Sequence, residues 1–141
     1  MNDKQTTVQE LKERVKQFRA ERGWTDTDQK DVAISICLEA AELLEHFQWV
    51  KTEEVKDHSR WRQAVAEEMA DVLFLLMELA EQFDIDLAKA FQAKVTKQAN
   101  KYPLSEFNPS KSKQELRQAY YRIKSKTRTD HPFAEEKEHD S

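Results

Sequence analysis

Residues 32–47 read VAISICLEAAELLEHF, a run without glycine or proline. Val32, Ala33, Ile36, Cys37, Ala40, Leu43, Leu44 and Phe47 cover more than half of a helical circumference. A helix that is apolar over so much of its surface predicts a central place among other helices. It is expected over about 29–49, after a polar turn from Trp24 to Asp28 rich in N-cap residues. Two carboxylates, Glu39 and Glu42, are set into it.

Helices follow on either side. Thr7 and Glu10 form a capping-box pattern, Val8, Leu11, Val15 and Phe18 recur at helical spacing, and Gly23 stands where a C-terminal cap belongs, so a first helix is predicted over 8–22. A third is expected over 60–83 on the stripe Trp61, Val65, Val72, Leu76, Leu79 and Phe83. Asp84 ends it, and Asp86 can cap a fourth that runs from Leu87 to Lys101, where Tyr102 and Pro103 stop it. The economical architecture is all-α: an antiparallel four-helix bundle over residues 1–103. Phe74 and Met77, opposite Glu68, are candidates for an interface between copies. Cys37 is expected to be a small core residue.

Composition narrows the function. One glycine in 141 residues excludes the P-loop and the dinucleotide fingerprint, which need several at fixed spacing. One cysteine excludes an internal disulfide and a multi-cysteine zinc site. With no apolar leader after Met1 and no run of about 18 apolar residues, a cytoplasmic setting without membrane is expected. Residues 104–141 form a basic C-terminal extension, helical or flexible and partly disordered. Lys111 to Arg128 carries seven cations against the lone Glu115, with a thin stripe of Leu116, Tyr120 and Ile123, and 134–141 is acidic and polar.

Glu39 and Glu42, like Glu68 and Asp71, are three residues apart, so each pair aims two carboxylates one way. At 100° per residue, Glu68 falls about 40° from Val72, inside the apolar stripe, and no cation lies three or four residues away. Other acidic pairs, such as Glu78 and Glu81, are read as solvated faces. Four carboxylates converging from two antiparallel helices would repel unless a cation sat among them. An all-oxygen set suits Mg²⁺ or Mn²⁺ and not zinc, and magnesium commonly completes its shell with substrate phosphates. A di-iron site needs Glu-x-x-His pairs; here His46 is four residues from Glu42 and the other pair ends in Asp71.

The ordered set Glu39-x-x-Glu42 and, after 25 residues, Glu68-x-x-Asp71 resembles the signature of the all-α nucleoside triphosphate pyrophosphohydrolases, the MazG-type superfamily. The segments 21–24, 39–49, 67–73 and 101–103 resemble its small dCTP pyrophosphatase branch. The resemblance implies Mg²⁺-dependent cleavage of a nucleoside triphosphate to the monophosphate and pyrophosphate. Glu39, Glu42, Glu68 and Asp71 would be the metal ligands, holding the water that becomes the nucleophile. It also implies a homodimer or homotetramer, and aromatic base-pocket positions at Trp24 and Trp49. Val15 and Asp28 stand where relatives of that branch carry His, Leu75 where they carry Tyr, and Gln98 where they carry Asn. Asp28 can accept hydrogen bonds from a base edge, and Lys94 can reach polyphosphate oxygens. The competing reading is a non-catalytic helical module that binds a partner or nucleic acid through Lys111–Arg128.

Overall fold

The computed structural model describes residues 1–51, 53–54 and 58–127. Part of the 52–59 connector, Arg128 and the acidic stretch 134–141 lie outside the described residues. Five helices and no strand occur among those described: α1 (Val8–Ala20), α2 (Gln29–Glu45), α3 (Ser59–Gln82), α4 (Leu87–Lys101) and α5 (Lys113–Thr127). The all-α reading holds, with four helices ahead of Pro103 near their expected bounds. None is long and apolar enough to cross a membrane. The chain groups into two compact units, Met1–Ala88 and Lys89–Ser141.

In the first unit the caps are those the sequence spells. The Thr7 side chain accepts from the Glu10 amide at 3.2 Å, and the Glu10 carboxylate accepts from the Thr7 amide at 2.7 Å. At the other end of α1, Gly23 has φ +67°. The Trp24 amide donates to the Arg19 carbonyl at 2.9 Å and the Gly23 amide to that of Ala20 at 3.1 Å. This closes a Schellman motif, which needs a left-handed residue at that place. Asp28 caps α2, its carboxylate accepting from the Lys30 amide at 2.8 Å.

A second such motif ends α3, with the Ile85 amide bonded to the Ala80 carbonyl and the Asp84 amide to that of Glu81. Here the left-handed residue is Asp84, at φ +51°. Left-handed backbone strains a residue with a Cβ, so Asp84→Gly is expected to stabilise the protein by about 0.5 kcal/mol. A raised thermal midpoint with unchanged helical signal checks it.

Helix α2 ends four residues short of the expected Trp49. His46 takes the C-cap, and Phe47 and Gln48 close tighter bonds to the carbonyls of Leu44 and Glu45. Its last turn carries Glu42 and Glu45 and no cation, a charge pattern that opposes the negative end of the helix.

The central helix is α3, which packs against both α1 and α2, and not α2 as its apolar surface suggested. Both neighbours run antiparallel to it. Along α1, Lys12 bonds the Ile85 carbonyl at 3.0 Å, Lys16 pairs with Glu81 at 2.8 Å, and Arg19 with Glu78 at 3.0 Å. Phe74 and Met77, expected at an interface between copies, serve inside the chain. Phe74 meets Phe18 edge-on at 5.5 Å, and Met77 is buried beside Val15. Glu78 likewise departs from its solvated reading: it and Arg19 form a buried ion pair, 6% exposed each. Burial holds the Glu78 carboxyl above its usual range, and Arg19 opposes that shift.

The α2 surface away from α3 stays open in the single chain. Ile34, Leu38 and Leu44 are about half exposed, and Cys37, expected in the core, is exposed too. One neighbouring helix cannot cover an apolar arc that wide.

In the second unit, Ser112 and Glu115 form another reciprocal capping box that starts α5. Ala119 is buried, and Tyr102, Phe107, Tyr120 and Tyr121 make a chain of ring contacts at 5.1–6.1 Å.

Candidate metal centre

Glu39 and Glu42 sit one turn apart on α2, as do Glu68 and Asp71 on α3. Antiparallel packing turns the two pairs toward one another. Glu39, Glu42 and Glu68 each bring a carboxylate oxygen within 4.8 Å of the other two. Asp71 is exposed and stands outside that tight group, yet near enough for its charge to act on Glu39. Burial first, then the charges of Glu42, Asp71 and Glu68, hold the Glu39 carboxyl above its usual range. The crowding inferred from i,i+3 spacing is thus present in three dimensions.

Nothing cationic from lysine or arginine relieves it: among the described residues, no ion pair joins either residue type to these four acids. The basic group within ion-pair range is His46, whose Nε2 stands 3.7 Å from Glu68 Oε1. In the sequence, His46 serves only to exclude a di-iron site. Its place one turn beyond Glu42 was the available signal that it faces the same direction. Three converging carboxylates, oxygen donors only, with unrelieved negative charge, fit a hard divalent cation.

The remaining candidates are dispersed. Trp24 follows α1 directly, 55% exposed, its ring edge-on to Phe18 at 6.0 Å. Trp49 lies beyond α2 and is 90% exposed, with no ring partner among the described residues. Asp28 already serves as the α2 cap. Lys94 and Gln98 lie exposed on α4, in the second unit, where the Gln98 carbonyl accepts from the Tyr102 amide at 2.8 Å. Val15 is buried in the core and Leu75 is half-buried.

Two antiparallel helices that each carry an acidic pair, three of whose carboxylates converge, define an all-α scaffold able to hold a divalent cation. The comparisons are specific. A model of the MazG-like family matches residues 34–116, a stretch that holds all four acids. The dCTP pyrophosphatase 1 of Bos taurus is 31% identical over 102 residues, 70% of this chain and 60% of its own length. That of Homo sapiens is 32% identical over 102 residues, 69% of this chain and 59% of its own length. A solved pyrophosphatase from Archaeoglobus fulgidus is 37% identical, with a TM-score of 0.63 over 73% of this chain and 98% of its own. This chain belongs to the MazG-like family. It spans about 60% of the length of the mammalian relatives it matches.

Proposed function

We propose that the protein is a nucleoside triphosphate pyrophosphohydrolase, cleaving a deoxynucleoside or nucleoside triphosphate to the monophosphate and pyrophosphate in nucleotide-pool housekeeping. The observation that carries this reading is the convergence of Glu39, Glu42 and Glu68, with the charge of Asp71 acting on Glu39 and no lysine or arginine among the described residues paired to them. The names of the similar proteins agree with it. Glu39, Glu42, Glu68 and Asp71 would hold Mg²⁺, or Mn²⁺ in its place. When bound, such an ion polarises phosphate oxygens and lowers the pKa of a water.

The chain's own residues account for the rest. The four acids orient the polyphosphate by fixing where positive charge can sit, and repel any anion that arrives without its cation. His46 stands within ion-pair range of the Glu68 carboxylate, its Nε2 3.7 Å from Oε1. Trp24 and Trp49 offer flat apolar faces on which a base can stack, and Asp28, Lys94 and Gln98 are the polar candidates for the base edge and the phosphates. We place the catalytic domain at 1–103, with 104–141 as an extension, and the protein in the cytoplasm, a setting with which a lone thiol agrees.

We further propose a homodimer or homotetramer. The open apolar surfaces of Ile34, Leu38 and Leu44 on α2, and of Met69, Leu73 and Leu76 on α3, support self-association. Light scattering at micromolar concentration should return a multiple of the 16.7 kDa chain mass; a monomer would refute it. The activity is tested by a panel of nucleoside triphosphates with Mg²⁺ or Mn²⁺, the products identified by phosphorus NMR. Monophosphate and pyrophosphate are expected. Diphosphate and orthophosphate, or no turnover on any base, would overturn the reading.

A further inference from the structure

The second unit carries a basic and aromatic surface of its own. Between residues 89 and 127 stand ten Lys and Arg against two Glu, a net of +8 in a chain whose total is −4. Both acids are engaged on one side of α5. Glu106 pairs with Arg122, while Glu115 caps the helix through Ser112 and stands 3.9 Å from Lys111. On a 100° wheel, Glu115 and Arg122 fall together, and Leu116, Ala119 and Ile123 form the inward face. Tyr120, Lys113, Lys124, Arg117 and Tyr121 then share an arc of about 100° on the side opposite Glu115 and Arg122. All five are exposed, Tyr121 by 55% and Tyr120 by 40%.

The aromatic and cationic groups on this arc are interleaved. The Arg117 guanidinium stands 5.8 Å from the Tyr121 ring and the Lys124 ammonium 5.7 Å from the Tyr120 ring. Tyr120 is stacked on Tyr102, ring planes 13° apart, and Lys101 stands 5.5 Å from the Tyr102 ring. Ring contacts fix the tyrosines without covering them. The arc runs about 16 Å along the helix, room for a few nucleotides. It has no acid to repel phosphate and no aliphatic side chain of the kind that anchors a helix in a bilayer surface. Most of it lies beyond residue 116, where the family match ends.

We propose that this face of α5 binds single-stranded nucleic acid: Lys113, Arg117 and Lys124 take backbone phosphates, and Tyr121, with Tyr120, stacks bases. The site shares no residue with the acidic centre and does not depend on the pyrophosphohydrolase reading.

The test uses the full chain and fluorescently labelled oligo-dT and oligo-U strands, followed by anisotropy from about 50 mM salt upward. Three phosphate contacts predict a log–log salt slope of about −2, and Arg117→Gln with Lys124→Gln should leave a slope of about −0.7. Tyr121→Leu should weaken binding about tenfold with the slope unchanged. All three positions are exposed, so circular dichroism should be unaltered, and hydrolysis of free nucleotides should proceed at the parent rate. A catalytically inert chain that still binds the strands in this way would support the site and sink only the enzymatic reading. The proposal is overturned by absence of binding at low salt, by affinity indifferent to these substitutions, by displacement of the strand with equimolar dCTP, or by preference for anionic phosphatidylserine vesicles over either strand.

Discussion

Glu68→Ala is expected to lower nucleotide turnover on the order of a thousandfold while leaving the helical spectrum in place. On the proposed function, loss of one of three converging carboxylates would remove a ligand, and a divalent cation in such a site supplies several kcal/mol of charge stabilisation during phosphoryl chemistry. The stability readout goes the other way. With no cation present, Glu68 is one of the neighbours that raise the Glu39 carboxyl, so the folded protein binds more protons than the unfolded chain above the ordinary Glu range. Stability therefore falls as pH rises from about 4.5 through the raised Glu39 value. Glu68→Ala removes part of that penalty. At neutral pH without metal, its thermal midpoint should equal or exceed that of the parent, and Mg²⁺, which should raise the parent's midpoint by binding the folded state, should no longer do so. A variant that is both inactive and markedly less stable without metal would mean that Glu68 is a packing residue.

Arg19→Met should destabilise the protein by about 3–5 kcal/mol, a large share of the roughly 5–15 kcal/mol that holds a domain together. Arg19 and Glu78 meet at 3.0 Å with side chains 7% exposed, and the guanidinium also donates to Thr27 Oγ1 at 3.1 Å. Without it, Glu78 keeps, among the described residues, a 3.3 Å hydrogen bond from Gln82 and is left charged and buried, or must take up a proton. Urea denaturation measures the loss. Arg19→Met combined with Glu78→Leu should recover most of it, because a buried pair replaced by well-packed apolar groups is often neutral. A single-variant cost below about 1 kcal/mol would show that the pair is solvated.

These two sites differ in how far they could be read from sequence. The acidic centre was legible because both of its halves are local: an i,i+3 spacing can be seen on one helix, and Glu68 sits inside its own apolar stripe. Thr7 with Glu10 and Gly23 were legible as caps for the same reason, and Ser112 with Glu115 was there to be read by the rule that found Thr7. The Arg19–Glu78 pair was not. Arg19 is one turn beyond Val15, and so on the inward face of α1, but its partner lies 59 residues away and nothing local to either residue joins them. The stripe through Val65 and Val72 shows one inward face of α3 and leaves Phe74 and Met77 outside it, whereas a helix packed between two neighbours has two inward faces. The open apolar arc of α2 fits the same account: its amphipathicity records how much surface needs covering, not which chain covers it.

Diffraction from crystals grown with Mn²⁺, with the anomalous signal located, would show whether the acids of α2 and α3 hold a divalent cation. A peak is expected among Glu39, Glu42, Glu68 and Asp71, with the remaining positions around the ion open to water or phosphate. A manganese peak elsewhere with none between α2 and α3, or the four carboxylates engaged by lysines or arginines of a neighbouring copy, would contradict it.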